Sequence, residues 1–237
     1  MTLAVLVPVK DLSRAKTRLA GLLSEAERAE LAGLLLAGVL EAIGRVPAEA
    51  VDEPLRRVVV TAHAPSAELA QRLGFEVLPE PRPVSESDSV DRASVLLERE
   101  GVRGVLRIPL DLPLIETADV ERLFALARQD ARVLLVPSLS GTGTNGLFRA
   151  PATLFPSRFG PGSLALHQEE AHRLGATAQV VRLDSLALDI DDPADIRLWL
   201  GSAKPTRAFD YVKSLEIEAR LARWEAQGNP SRLSDEG

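Results

Sequence analysis

Leu3-Ala4-Val5-Leu6-Val7 is apolar at every position. A strand that is apolar throughout, instead of alternating, belongs in a parallel sheet covered on both faces, so a crossover helix must follow. Ser24 with Glu27 three positions later makes a capping-box pattern, and Leu31, Leu34, Leu35, Val39, Leu40 and Ile43 recur at helical spacing. The unit repeats. Residues 57–62 read as a strand, Ser66 as the cap of a helix closing at Gly74, and 75–78 as a short strand.

Beyond Pro79, Pro81 and Pro83, a helix around 90–100 leads to a strand at 104–108. Thr117 suits the cap of a helix running to about Gln129, and a strand follows at 132–136. A helix near 163–174, a strand near 178–183 and a helix that Asp192-Pro193-Ala194-Asp195 starts and that ends near Gly201 complete the pattern. Such alternation specifies an α/β fold with a mostly parallel, doubly wound sheet, whose ligands collect at the carboxyl ends of the strands. Segment 138–163, rich in Gly, Ser, Thr and Pro, reads as a long functional loop or a small inserted hairpin. Residues 1–201 form one domain. In the extension 202–237, segment 209–224 is amphipathic and could pack on its own domain or on a second copy, which leaves a homodimer open; the polar end 229–237 should be disordered.

A chain of 237 residues, 46% hydrophobic, suits a single α/β domain. The net charge of -6 provides no basic field for a nucleic-acid backbone and argues against such a partner. The absence of cysteine excludes disulfides, thiolate zinc sites and a cysteine nucleophile, so any chemistry must use oxygen and nitrogen groups. Residues 3–9 are too short for a signal-peptide core, lack a basic flank before them and lead into a charged segment, which points to the cytoplasm. No segment reads as a membrane span.

Four constellations could carry chemistry. Directly after the first strand, Pro8-Val9-Lys10-Asp11-Leu12-Ser13-Arg14-Ala15-Lys16-Thr17-Arg18-Leu19 brings four cations and one anion to a strand's carboxyl end, a placement suited to phosphoryl or nucleotidyl transfer, unless it is a solvated basic turn. Asp111, inside Pro109-Leu110-Asp111-Leu112-Pro113, is a charge among apolar residues that needs a partner, and a hard divalent cation would supply one. Asp189 and Asp191 alternate along an extended segment and face the same side, where two carboxylates repel unless a cation lies between them. Gly141-Thr142-Gly143-Thr144-Asn145-Gly146 and Phe159-Gly160-Pro161-Gly162-Ser163 are glycine-rich turns that either seat an anion or merely turn the chain. The histidines His63, His167 and His172 show no ligand spacing and read as ordinary surface or half-buried residues, and Trp199 and Trp224 as packing anchors.

These motifs resemble, in content and order, the guanylyltransferases of deazaflavin-coenzyme biosynthesis, over about residues 3–200. The resemblance rests on Val7-Pro8-Val9-Lys10 with Ala15-Lys16-Thr17-Arg18-Leu19, Asp111-Leu112-Pro113, Gly143-Thr144-Asn145, Phe159-Gly160-Pro161-Gly162-Ser163 with His167, and Asp189-Ile190-Asp191. It implies a three-layer, nucleotide-diphospho-sugar-transferase-like fold (GT-A or Rossmann-like), with 1–201 as the nucleotidyltransferase domain. It also implies GTP and a small phosphorylated carboxylic acid (phospholactate, phosphoenolpyruvate or phosphoglycerate) as substrates. Mg2+ is the implied cofactor, on Asp111, Asp189 and Asp191. Lys16, Arg18 and Asp111 would serve catalysis; Pro8, Lys10, Lys16 and Asp91 the nucleotide; Thr144, Gly160 and Ser163 the acid.

The chain departs from that pattern at Ser89-Val90-Asp91, where the family carries Gly-Leu-Asn, and at Leu110 and Ser140, where a small residue and an Asp are usual. Competing readings are a molybdopterin-type or sugar-phosphate nucleotidyltransferase, which typically opens with a glycine-rich loop that this chain lacks, and a non-catalytic binding module that kept the fold.

Overall fold

In the computed structural model, which describes residues 2–47, 54–80, 82, 84–129, 131–202 and 204–228, β1 (Thr2–Val9) runs through the middle of a seven-stranded sheet. Leu3, Val5, Val7 and Val9 pack into a core on one face, and Ala4 and Leu6 into a core on the other. This is why the strand cannot alternate: burying each large aliphatic side chain contributes about 1.5–3 kcal/mol, and both faces are dry.

α1 (Glu25–Gly44) starts at the expected capping box, with Glu27 N donating to Ser24 Oγ (3.3 Å) and Ser24 N donating to Glu27 Oε2 (2.8 Å). The chain continues through β2 (Leu55–Thr61), α2 (Ala64–Arg72), β3 (Glu76–Pro79), α3 (Glu86–Arg99), β4 (Val102–Arg107), α4 (Thr117–Arg128), β5 (Val133–Pro137) and β6 (Thr144–Arg149). It ends with α5 (Ser163–Arg173), β7 (Ala178–Val180), the short α6 (Asp184–Ala187), α7 (Pro193–Ser202), α8 (Arg207–Ser214) and α9 (Ile217–Ala226). The strand order is β3-β2-β1-β4-β6-β5-β7, with β6 antiparallel to both its neighbours and every other pairing parallel. α1, α2, α4 and α6 contribute to the core on one face of the sheet, α3 and α5 to those on the other, giving the three layers expected.

Several local expectations change. Segment 138–163 contributes a full sheet strand, because all six residues of β6 are buried between β4 and β5. Gly146 serves close packing there: a Cβ would meet Val136 Cγ2 at 2.8 Å. Ser66 does not cap α2. His63 holds the N-cap position, and Ser66 is buried in the first turns with its Oγ 2.7 Å from His63 Nδ1. Thr117 is likewise the first helical residue of α4, its hydroxyl donating to Ala42 O, while Glu116 and Asp119 form the capping box. α3 begins at Glu86, capped by Ser85, ahead of the expected start, because an Asp and a Glu in the first turn suit a helix N-terminus.

The amphipathic segment 209–224 is two helices, broken at Glu216, which takes a left-handed φ of 54°. They pack on their own chain: Val212, Ile217 and Leu221 share a core with Leu31 and Leu35 of α1 and with Trp199 of α7. The expectation for 229–237 lies outside the described residues.

Candidate active site

From β1 the chain goes to β2 and β3 on one side and returns to β4 on the other, so the sheet has a switch point between β1 and β4. The register pairs Leu6 with Arg107 and Val9 with Thr61, which ends these strands together. A cleft of about 1540 Å³ opens at their carboxyl ends, where doubly wound sheets bind ligands.

The basic loop enters this cleft through two short 3-10 turns, Leu12–Arg14 and Thr17–Leu19. Between them Lys16 takes a left-handed φ of 55°, a conformation that costs a non-glycine residue about 1–3 kcal/mol and concentrates at functional sites. That backbone aims Lys16 Nζ at Asp111 Oδ2 (2.5 Å) and Asp191 Oδ1 (3.3 Å). Burial opposes the ammonium charge, but Asp111 and Asp191 outweigh it and hold the Lys16 pKa above its ordinary value.

Residues distant in sequence are tied here by main-chain bonds. Ile190 N donates to Asp111 O (3.2 Å), laying the extended 188–192 segment along the Asp111 loop. Ile190 is buried, so Asp189 and Asp191 both face the cleft, as the alternation requires. Asp192 Oδ1 accepts from Ala194 N (3.0 Å) and Asp195 N (3.3 Å), which makes it the structural cap of α7. Asn145 Nδ2 reaches Leu186 O, Ala187 O and Asp189 Oδ1, at 2.9, 2.9 and 3.3 Å, locking β6 to the same segment. Burial, with Asp111 and Asp191 nearby, pushes the Asp189 carboxyl above its usual pKa. Among the described residues no three side chains form a ready-made cation cage; the Lys16 ammonium stands between Asp111 and Asp191.

Pro8, Lys10, Arg18, Thr144, Gly160 and Ser163 also line the cleft, so the structure brings together every expected site residue but one. Arg18 NH1 lies 3.9 Å from Asp191. The exception is Asp91. It accepts from Arg149 (3.2 Å) and from Ser157 N and Oγ (2.9 and 2.7 Å), bracing β6 against α3 outside the cleft. Ser89, two residues earlier on the helix and therefore on another face, lines the cleft and donates to Glu80.

The family model described as guanylyl transferase CofC like matches residues 3–228. The chain belongs to that family. The phosphoenolpyruvate guanylyltransferase of Rubrobacter xylanophilus is 33% identical over 197 residues, covering 83% of this chain and 92% of that one. The 3-phospho-D-glycerate guanylyltransferase of Phenylobacterium zucineum is 35% identical over 215 residues, covering 90% and 94%. A solved structure from Desulfovibrio desulfuricans, assigned to the nucleotide-diphospho-sugar transferases, superposes with a TM-score of 0.74 at 13% identity, covering 94% of this chain and 97% of that one, which supports the fold.

Two residues of this CofC-like chain, Arg107 in the cleft lining and His167 buried against Thr144, were not assigned a role from sequence. Arg107 is buried at the end of β4, its NH1 donating to Thr144 O (3.1 Å), its NH2 paired with Glu86, and its guanidinium 4.2 Å over the Phe159 ring. The signal was a charge inside the otherwise apolar run 104–108. His167, expected at or near the surface, is fully buried; its position i, i+4 from Ser163 places both on the inner face of α5.

Proposed function

We propose that the chain transfers the guanylyl group of GTP to the phosphate of a small phosphorylated carboxylic acid, of the phosphoenolpyruvate or 3-phosphoglycerate type, in deazaflavin-coenzyme assembly. An acid phosphate oxygen forms a bond to the α-phosphorus, the bond to the β-phosphate breaks, and pyrophosphate leaves, so no protein nucleophile is needed. The observation that carries the reading is the Lys16 ammonium held between Asp111 and Asp191 at the sheet's switch point, inside a cleft that also receives Lys10, Arg14 and Arg18.

These cations neutralise triphosphate oxygens and hold the two substrates in line. Thr144, Gly160 and Ser163, on the β6 and α5 side of the cleft, suit the acid. Asp111, Asp189 and Asp191 would hold Mg2+. They fit it, since all are hard oxygen donors, and desolvation with the nearby Asp111 and Asp191 charges raises the pKa of Asp189, a cost that a cation would relieve. When bound, the ion supplies Lewis-acid neutralisation of phosphate oxygens.

The cytoplasm, where GTP is abundant, is the compartment this reading requires, and among the described residues no helix is long and apolar enough to cross a membrane. Residues 1–201 would carry the chemistry and the 202–237 extension would brace them through α8 and α9.

The test is pyrophosphate release by the purified protein with GTP and Mg2+, offered phosphoenolpyruvate, 3-phosphoglycerate or phospholactate in turn, with ATP and CTP as controls. Release with GTP and one acid is expected; silence with all three acids would overturn the acceptor, and equal rates with ATP the guanine preference.

A further inference from the structure

We propose that His167 is a positioning residue: its Nδ1–H fixes the Thr144 hydroxyl as a hydrogen-bond donor facing the acceptor acid. The inference rests on the acid subsite proposed above and adds the residue that sets its polarity.

His167 is fully buried, with the Phe159 ring edge-on at 5.1 Å and the Phe155 ring at 6.2 Å. Its Nε2 lies 2.9 Å from Arg158 N. A main-chain N–H can only donate, so Nε2 is the bare nitrogen. Burial, assisted by the neighbouring Arg149 and Arg107, lowers the ring's pKa to about 3, which keeps the imidazole neutral with a single proton. That proton therefore sits on Nδ1, 3.1 Å from Thr144 Oγ1, and is donated to it.

The consequence falls on Thr144. Its oxygen accepts from His167, and among the described residues no other side chain or main-chain group takes up its own O–H. Thr144 is a buried residue at the cleft lining, so a ligand seated there is the partner assigned to its hydroxyl proton. The residue is also held from behind, since Arg107 NH1 donates to its carbonyl at 3.1 Å. A hydroxyl preset as a donor complements an anionic oxygen, and hydrogen bonds to charged acceptors are about twice as strong as neutral ones. Through Arg158, the same ring also steadies the turn that leads to Gly160 and Ser163.

Two amide replacements separate the two nitrogens. His167→Asn places an N–H near Nδ1 and can still donate to Thr144, whereas His167→Gln reaches the Nε2 position and serves only Arg158. With the wild-type acid substrate and GTP, His167→Gln should raise KM for the acid about tenfold while KM for GTP moves less than about twofold. His167→Asn should recover most of that loss. Thr144→Val should raise KM for the acid to a similar extent, and adding His167→Gln to it should cost little more, as expected for partners in one interaction.

Nitrogen-15 NMR of the imidazole reads the tautomer without any substrate. Protonated Nδ1 and bare Nε2, unchanged between about pH 5 and 8 where an ordinary histidine titrates, are expected. An Nε2–H tautomer, or equal effects of Asn and Gln, would overturn the proposal; if His167→Gln does not fold, the Thr144→Val kinetics and the NMR still decide it. The expected tautomer in a protein that releases no pyrophosphate with any phospho-acid would instead overturn the functional reading, and with it the acid end of this proposal.

Discussion

Asp189 is half-buried beside two other carboxylates, and desolvation together with their charge pushes its pKa upward. An acid raised on folding destabilises the native state as pH rises through its folded value, so neutralising it relieves the fold. Asp189→Asn should therefore abolish pyrophosphate release while leaving the thermal midpoint equal to or above the wild type's. Mg2+ should raise the wild-type midpoint more than that of the variant, because only binding to the native state stabilises it. An active Asp189→Asn protein would remove Asp189 from the proposed metal site. Carboxylates 78 residues apart in sequence meet here only because Ile190 N finds Asp111 O, a bond that no local pattern announces. The alternation that turns Asp189 and Asp191 the same way was, by contrast, visible in the sequence.

The turn that carries Gly160 is strained for any other residue, with φ of 128°. Gly160→Ala should cost about 1–3 kcal/mol locally and shift the acid-side wall, raising KM for the acid with little change in that for GTP. Kinetics against each substrate separately would show it, and a selective change in the GTP constant would contradict the placement. The C-terminal helices make a different case. Leu221 of α9 is 1% exposed in the core shared with α1 and α7, so Leu221→Ala should lower stability by about 2–5 kcal/mol in urea unfolding. Amphipathic periodicity marked this segment as needing a partner but not which one. The choice was settled by where α1 leaves a second apolar face open, a property of the packed chain.

The molecule as a whole carries a net charge of -6, yet its cleft gathers Lys10, Arg14, Lys16 and Arg18 at the carboxyl end of the central strand β1. KM for GTP should therefore rise with added salt, since the Debye length shrinks from about 10 Å at 0.1 M to about 3 Å at 1 M; a salt-independent constant would argue against electrostatic capture. Global stability should also respond to acid through the clamp between α1 and α9. The hydrogen-bonded Arg220 guanidinium holds Glu27 at about 2 against its usual 4.5. A carboxyl lowered on folding adds stability above its unfolded value and loses it as pH falls toward the folded one. Wild type should thus lose stability more steeply between these two values than Glu27→Gln, as acid unfolding curves would reveal.

The sequence alone determined the α/β class, the central doubly covered strand, the capping box of α1 and the chemical character of most of the site, because these depend on local periodicity, on turn and cap chemistry and on motifs whose order survives divergence. Only the tertiary structure decided that Thr144 to Arg149 is an antiparallel strand inside the sheet, that Asp91 braces Arg149 and leaves the cleft to Ser89, and that His167 is buried against Thr144. Each of these depends on which face of an element meets another. That is a long-range outcome of packing, and residues that are neighbours in the chain do not encode it by themselves.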